Sequence, residues 1–395
     1  MAMTAVMGQS VPTGAAASTI ARVEVLESVA AAETAWRGME TPDHLFTPFQ
    51  RFDFVSTWQR HIGESEHARP FIVVGYDARR RPVVLLPLGI SSESGVTVGR
   101  FFGGKHATFN LPLMAQDFAL AAAKADVEAL LDQIRAHADR PDLMALDRQP
   151  LRWRDVANPF AALPMQPSVN PCPVLSLTPG AAPNDRISNS FRRRLKGKER
   201  KISSLPGYRY LLADSDAEIR HILDAFFAIK PLRMAAAGLP NIFADAATHD
   251  FVYDACLARR PDGGRVIEIH ALQCDEEVIA IFAGVADGHR FSMMFNTYTM
   301  SEHSKYSPGL ILLRYIIDSY AERGYSAVDL GIGADEYKRL FCKDDEAIFD
   351  SFLPLTLKGS LASLGLSSVA RAKRVIKQNP MLAQMAQALR SALQG

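Results

Sequence analysis

The sequence predicts an α/β protein built from two units, each with a mixed sheet covered by helices. Three observations support this fold class. The chain has 395 residues, enough for two domains of ordinary size. Hydrophobic residues make up 48% of it and charged residues 22%, a balance typical of globular proteins. Proline occurs seven times between residues 158 and 183, where we expect a connector between two separate cores.

The first unit is predicted over residues 21–165, after a lead-in of small and polar residues at 1–20 that we expect to be disordered. Apolar residues at helical spacing and two apolar runs with strand composition define its elements. In chain order these are helices at 29–39 and 52–62, strands at 70–76 and 82–90, and an amphipathic helix at 118–138.

The second unit is predicted over residues 184–358, after a proline-rich connector at 166–183. Its element order is β-α-α-β-β-β-α-β-α-β. Short polar loops at 275–277 and 287–289 join three of the strands into an antiparallel meander, and a right-handed β-α-β crossover follows. We expect the last strand to close this unit. The elements are a strand at 208–212, helices at 217–229 and 246–258, strands at 265–272, 278–286 and 290–298, a helix at 308–322, a strand at 325–333, a helix at 335–341 and a strand at 347–357.

The tail at 359–395 is basic and amphipathic. We expect a final helix that begins at Asn379 and Pro380, an N-cap and first-turn pair. Such a tail either docks on the protein body or contacts an anionic membrane surface. Its basic residues are Arg371, Lys373, Arg374, Lys377 and Arg390, and the apolar face of the final helix has Leu382, Met385, Leu389 and Leu393.

Charge and cysteine content exclude several classes of protein. The chain has 44 basic and 43 acidic residues, so we expect no DNA partner, because a nucleic-acid coat needs a clear basic excess. Its four cysteines lack metal-binding spacing, so we expect no metal and a reducing, cytoplasmic location. No apolar run is long enough to span a membrane, and the N-terminus does not have the pattern of a secretory signal.

The basic residues are unevenly distributed along the second unit. The run at 191–201 has seven basic residues and one acidic residue. One interpretation is a surface for donor phosphates, an anionic acceptor or a phospholipid membrane. The other is a solvated helix face.

Four short motifs occur in a fixed order in the second unit. They are the basic stretch at 192–201, the helix start Ser307-Pro308-Gly309, a strand ending near Asp329, and the pair Tyr337 and Lys338. With the element order, they resemble the GNAT acyltransferase superfamily and, more closely, the cellulose-biosynthesis-associated (CelD-like) acetyltransferase family. The resemblance extends over residues 45–357. It implies two tandem GNAT-like domains, with donor chemistry in the second and a diverged copy in the first.

The resemblance implies an N- or O-acyltransferase that uses acyl-CoA, either acetyl-CoA or a longer thioester. An amine or hydroxyl of the acceptor would attack the thioester directly, in a ternary complex held between the two units. The acceptor class is an envelope polysaccharide or exopolysaccharide, a lipid or an amino-sugar precursor, and an acyl carrier protein is the alternative donor. Two rivals stay open: an aminoacyl-tRNA-dependent transferase of the peptidoglycan-bridge type, and a catalytically silent scaffold of polysaccharide synthesis.

Five residues are candidates for the catalytic chemistry. Tyr337 follows the turn after the predicted strand at 325–333, the fifth-strand turn of the resemblance, where GNAT enzymes commonly place the acid that protonates the departing thiolate. Lys338 is a candidate for stabilising the oxyanion or meeting a phosphate. Asp329, Glu336 and His303 compete for the role of general base, and the sequence does not choose among them.

The helix start at Ser307 is the candidate cradle for the donor. Free backbone N–H groups and the positive end of a helix dipole, here at Ser307, Gly309 and Leu310, hold pyrophosphate without any side chain. The loop has one glycine where the superfamily has a glycine-rich motif, and Pro308 has no N–H to donate. Further cationic candidates for the donor phosphates are Lys305, Arg192 and Arg193.

Overall fold

The computed structural model describes residues 19–178, 180–333, 335–379 and 381. Most of the predicted lead-in lies outside these residues. So do Arg390 and the predicted apolar face at Leu382, Met385, Leu389 and Leu393. Among the described residues, no helix is both long and apolar enough to cross a membrane.

Helices and runs of consecutive strands follow one another along the chain. Strands β1 to β9 are Arg22–Leu26, His44–Leu45, Arg69–Tyr76, Pro82–Glu93, Val96–Phe101, Leu113–Ala115, Leu143–Pro150, Arg152–Trp153 and Val156–Ala157. Strands β10 to β18 are Gln166–Pro167, Cys172–Ser176, Arg209–Ala213, Glu268–Gln273, Val278–Ala286, Arg290–Tyr298, Ala327–Asp329, Asp344–Glu346 and Ile348–Pro354.

Helices α1 to α10 are Val29–Gly38, Phe52–Trp58, Gln116–Ala121, Lys124–Ala136, Pro183–Arg186, Asn189–Glu199, Asp216–Ala236, Ala246–Leu257, Pro308–Glu322 and Leu357–Gln378. The predicted helix at 118–138 is in fact two helices, α3 and α4. The predicted helix at 335–341 is a 3₁₀ turn at Glu336–Leu340. Ser215 caps α7 and forms a capping box with Glu218, which fixes where that helix begins.

The two large sheets have the same strand arrangement. In the first, the order is β1-β3-β4-β5-β7-β18-β10, and in the second it is β12-β13-β14-β15-β16-β11-β17. Each contains an antiparallel meander whose last strand pairs in parallel with the next strand of the sheet. These parallel pairs are β5 with β7 and β15 with β16. Each parallel pair is followed by an antiparallel strand. The mixed α/β fold class predicted from the sequence is therefore confirmed, with two units of like topology.

The two sheets exchange strands, which corrects the sequence analysis in two places. The strand expected to close the second unit, β18, instead pairs with β7 of the first sheet, for example Phe352 with Ala145. The proline-rich connector is not free of regular structure, because β11 lies between β16 and β17 in the second sheet. Pro173 takes part through its carbonyl oxygen, which accepts the N–H of Leu330 at 3.1 Å. Each sheet is thus completed by a strand from the other half of the chain.

The hydrophobic core is continuous between the units. One cluster of buried side chains includes the first sheet, its helices, and the face of the second sheet covered by α7 and α8. Phe54 of α2 meets Phe251 of α8 edge to face, with ring centroids 5.5 Å apart. A second cluster lies on the opposite face of the second sheet, under α6 and α9. The face covered by α7 and α8 therefore turns toward the first unit.

Candidate active site between the two units

The parallel strands β15 and β16 separate at their carboxyl ends. Their pairing runs from Arg290 opposite Ala327 to Ser292 opposite Asp329, where β16 ends. Strand β15 continues to Tyr298. Gly331, at a positive φ of 73°, turns the chain away close to the backbone of Met293, where a Cβ would lie 3.0 Å from the Met293 oxygen. A gap opens between the strands at this point, the position in open α/β sheets where ligands bind.

Tyr337 lies in this gap. It comes from the 3₁₀ turn Glu336–Leu340, and its hydroxyl oxygen accepts a hydrogen bond of 3.2 Å from the side-chain nitrogen of Asn296 on β15. Burial raises the pKa of Tyr337 above its ordinary value, against the smaller opposite effect of Asn296. The phenol is therefore protonated at neutral pH and able to donate.

Lys338 is buried, with 3% of its surface exposed. Its ammonium donates to the carbonyl oxygens of Gly331 and Ile332, both at 3.1 Å, and forms an ion pair of 3.2 Å with Asp335. These contacts use its three N–H bonds. In this structure Lys338 holds the turn between β16 and Tyr337 in place.

Asp329 is buried beneath the gap. One carboxylate oxygen accepts the Ser292 hydroxyl at 2.5 Å and the other accepts the Gly331 N–H at 3.1 Å. Burial raises the pKa of Asp329 to about 6. Both oxygens are therefore engaged in fixing the point where the strands separate.

A cavity of about 660 Å³ lies over the gap, between the two units. The second unit contributes residues 293–296 of β15, residues 330–332 after β16, Tyr337, Lys338 and Lys230 of α7. The first unit contributes residues 105–108 and Arg148. Residues of both units therefore line the cavity that contains Tyr337.

A second cavity, of about 690 Å³, lies near the other end of β15. It is lined by Arg51 and Arg154 of the first unit and by Asp262 and Asp287 of the second. Asp287 belongs to the hairpin loop that precedes β15, whereas Tyr337 meets the strand near its end. We therefore take the cavity at Tyr337 as the candidate active site.

His106 presents a neutral ring to the candidate site. Its Nδ1 atom lies 3.2 Å from the indole nitrogen of Trp58, which can only donate. The remaining proton of the neutral ring is therefore on Nε2. Burial lowers the pKa of His106 to about 4, so the ring stays uncharged at neutral pH.

Arg148 shapes the same wall of the cavity. Its guanidinium donates to the carbonyl oxygens of Ala107 and Gly104, both at 2.6 Å, and forms an ion pair of 3.0 Å with Asp147. These bonds fix the loop that contains His106. Arg148 is thus a structural part of the cavity wall.

The candidate donor cradle begins at Ser307, a residue with a left-handed φ of 57° at the N-terminus of α9. The Ser307 hydroxyl accepts a hydrogen bond of 2.6 Å from the ammonium of Lys198 on α6. A helix N-terminus and a lysine therefore occur together here, and both favour the binding of an anion. The Leu310 N–H already contacts the Ser307 carbonyl at 3.0 Å, which leaves Gly309 as the better placed backbone donor.

Four other predicted residues have different surroundings. Arg192 is buried and forms an ion pair of 2.6 Å with Asp318, so its charge is already compensated. Arg193 is exposed on α6. Lys305 is paired with Glu302, and His303 with Glu277 at 2.6 Å. None of these four residues lines the cavity at Tyr337.

Glu336 is exposed on the 3₁₀ turn, beside Tyr337 in sequence but outside the cavity lining. The structure therefore brings together Tyr337, Lys338 and, beneath them, Asp329. It leaves Glu336 exposed and His303 partly buried in a pair with Glu277, both outside the cavity lining.

The sequence analysis missed Asn296, Lys230, His106 and Lys198. Asn296 offered one signal, because asparagine is depleted in strands and this one follows an apolar run. Lys198 lies within the basic stretch, but helical spacing alone does not show which of its cations reaches α9. Lys230 meets the site through the packing of α7 on β15 within the second unit, and His106 through the packing of the first unit on the second.

Comparison with known proteins identifies the domain that contains this site. The family described as acetyltransferase (GNAT) domain matches residues 189–339. Residues 189–339 form a GNAT-type acetyltransferase domain. This match supports the predicted transferase of the GNAT type over that part of the chain. The finer resemblance to the CelD-like family stays a prediction.

Solved structures share the fold of most of the chain. The C-terminal DUF2156 domain of a protein assigned as a lysylphosphatidylglycerol synthetase, from Agrobacterium fabrum, is 10% identical with a TM-score of 0.51, covering 86% of this chain and 97% of that one. FemX is 11% identical with a TM-score of 0.55, covering 81% and 99%. A conserved protein from Bacteroides thetaiotaomicron is 11% identical with a TM-score of 0.51, covering 84% and 100%. The search of curated proteins found no match.

Proposed function

We propose that the protein transfers an acyl group from an acyl-CoA to an amine or hydroxyl of an acceptor held in the cavity between the two units. The observation that carries this proposal is the position of Tyr337. Its protonated phenol lies in the gap between β15 and β16 of a GNAT domain, and the cavity above it is open to a second substrate.

The residues support direct transfer without a covalent intermediate. The acceptor nitrogen or oxygen forms a bond to the thioester carbonyl carbon, and the carbon–sulfur bond breaks. Tyr337 gives its proton to the departing sulfur, and the proton lost by the acceptor returns to the phenolate through water. General acid catalysis of this kind is typically worth about 10²- to 10⁴-fold in rate.

Asp329 has a positioning role in this proposal. Its two oxygens are engaged by Ser292 and Gly331, and it lies beneath the cavity. Glu336 and His303 are not among the residues that line the cavity. The acceptor therefore loses its proton to water or to the phenolate, and Asp329 keeps the gap open.

The start of α9 holds the donor phosphates in this proposal. The Gly309 N–H, the dipole of α9 and the ammonium of Lys198 converge there. Pro308 takes away one backbone donor, and Lys198 supplies a charge instead. A carrier-protein thioester would present the same phosphopantetheine chemistry with fewer phosphates.

We place the protein in the cytoplasm, with peripheral contact to the inner membrane face through α10. Leu357, Leu361 and Leu364 on this helix are 90%, 75% and 69% exposed. Lys358 lies beside them, and no acidic residue follows Asp350 in the sequence. An apolar stripe with flanking cations is the composition that binds anionic lipid surfaces. Lipid and envelope saccharide precursors are the acceptors that suit this location.

An aminoacyl donor is the second candidate. The fold is shared with a domain assigned to lysylphosphatidylglycerol synthesis, whose named product is an aminoacyl phospholipid. The single-glycine loop before α9 also departs from the usual donor cradle. Binding of tRNA that weakens steeply with salt would favour this alternative.

Titration calorimetry with acetyl-CoA and longer acyl-CoAs tests the proposed donor. We expect binding that weakens when salt screens the phosphates. Absence of binding to every acyl-CoA would contradict the donor assignment. Binding without consumption of the thioester in the presence of amine, hydroxyl and lipid acceptors would favour the silent scaffold.

A further inference from the structure

We infer that Lys230 binds an anionic group, a phosphate or a carboxylate, on the acceptor substrate. This inference rests on the proposed function and names the class of acceptor. The sequence analysis did not single out Lys230, which lies on α7 and lines the cavity at Tyr337.

Lys230 is a partly buried cation without a carboxylate partner among the described residues. Its ammonium donates one hydrogen bond of 2.9 Å to the carbonyl oxygen of Asn296 and lies 5.8 Å from the ring centre of Phe243. Burial and the nearby charge of Arg233 lower the pKa of Lys230, against a smaller opposite effect of Asp335, whose ion pair is with Lys338. Two of its N–H bonds are thus available to a ligand. An anion in the cavity would compensate the charge that the protein leaves unpaired.

The walls of the cavity carry more positive than negative charge. Lys338 is paired with Asp335, and Arg148 with Asp147. Lys105, exposed at the rim, adds a cation from the first unit. The charges of these two ion pairs cancel. Lys230 and Lys105 then give the cavity lining a net positive charge. A neutral or cationic acceptor would leave this charge without a counterpart.

Lys230 is close to the reacting group. The carbonyl oxygen of Asn296 accepts from Lys230, and the side chain of the same residue donates to Tyr337. A substrate whose anion binds Lys230 is therefore held beside Asn296, the residue that also contacts the phenol of Tyr337. Anchoring a remote group in this way orients the nucleophile toward the thioester.

The anion belongs to the acceptor because the donor cradle lies on the other face of the sheet. Helix α7 packs on the face turned toward the first unit, whereas α9, with Ser307 and Lys198, packs on the opposite face. The phosphates of a donor held at the start of α9 are thus separated from Lys230 by β15. A free phosphate and a phosphorylated acceptor share the chemistry that Lys230 would recognise.

The first experiment measures thermal stability with inorganic phosphate at constant ionic strength, because a ligand that binds the folded state raises Tm. Wild type, Lys230→Met and the control Lys124→Met, an exposed lysine of α4, are compared with and without coenzyme A. We expect phosphate to raise Tm of wild type and of Lys124→Met, with and without coenzyme A, and to have a smaller effect on Lys230→Met. An equal rise in Lys230→Met, or loss of the difference when coenzyme A is present, would overturn the inference.

The second experiment compares acyl transfer to glucosamine 6-phosphate and to glucosamine. Wild type is expected to favour the phosphorylated acceptor by about 10- to 100-fold in kcat/KM, the range for one charged hydrogen-bonded contact, and Lys230→Met to lose that preference. Transfer to both acceptors without preference would contradict the inference and leave the proposed function intact. Failure to transfer to any acceptor would count against the proposed function, and the phosphate experiment would still decide the role of Lys230.

Discussion

The hydroxyl oxygen of Tyr337 lies 3.2 Å from the side-chain nitrogen of Asn296, its hydrogen-bond donor. The phenol oxygen accepts this bond, so its own hydrogen stays free to be donated. A donor at this oxygen also stabilises the phenolate that forms when the proton leaves. The hydrogen bond between Asn296 and Tyr337 therefore suits a tyrosine that acts as an acid and is then reprotonated.

Replacement of Tyr337 by phenylalanine tests the acid directly. We expect Tyr337→Phe to lower kcat by about 100-fold or more, because the departing thiolate is no longer protonated, and to leave donor affinity unchanged. Steady-state kinetics and calorimetry measure the two effects. Tyr253→Phe, on α8 and outside the cavity lining, is the matched control. An unchanged kcat would remove Tyr337 from the mechanism.

Replacement of Asn296 by alanine tests the support of the phenol. We expect Asn296→Ala to lower kcat by roughly 10-fold, since one hydrogen bond to a developing charge is lost. The pKa of Tyr337 should rise further, because Asn296 holds it down against burial. Steady-state kinetics at neutral pH measure the loss of kcat. An unchanged kcat would contradict the role assigned to this hydrogen bond.

Lys198 is predicted to bind the donor. We expect Lys198→Met to weaken acyl-CoA binding by about 10-fold and to reduce its dependence on salt, because one phosphate contact is lost. Calorimetry at two salt concentrations measures both effects. Lys196→Met, exposed on the same helix, is the control. Equal weakening in both variants would indicate a general effect of charge and not a contact at the start of α9.

Asp329 predicts a pH dependence of stability with a definite sign. Its pKa in the folded protein, about 6, lies above the value in the unfolded chain, so the folded state holds the proton more tightly. The free energy of unfolding should therefore fall as pH rises from about 4 to about 6, by roughly 3 kcal/mol from this group. Asp329→Asn should flatten this part of the profile in denaturant titrations. An unchanged profile would mean that the carboxylate is compensated in the folded state.

The strand exchange predicts cooperative unfolding. Each sheet contains a strand from the other half of the chain, so neither half should unfold alone. We expect far-UV circular dichroism and fluorescence from Trp36, Trp58 and Trp153, all in the first unit, to report one coincident transition. Phe349→Ala, in β18 at 2% exposure, should destabilise the protein by about 3–5 kcal/mol. Two separate transitions would contradict the coupling.

The helix and strand positions followed closely from local patterns in the sequence. Strands β14 and β15 and helix α9 have the bounds that hydrophobic periodicity, short polar loops and the Pro308 helix start predicted. The pairing of β18 with β7 of the first sheet did not follow from local patterns. An apolar run identifies a strand but not its neighbour, because strand pairing joins segments far apart in the chain.

By itself, the sequence determined the α/β class, the two units, the order of the motifs and the resemblance to GNAT transferases. It also pointed to Tyr337 from its place after a strand. The tertiary structure decided which strand completes each sheet, that Arg192 is paired with Asp318 while Lys198 reaches α9, and that Asn296 and Lys230 meet near Tyr337. These contacts join residues distant in sequence, so only the packing of helices on sheets, and of one unit on the other, fixes which side chains lie together.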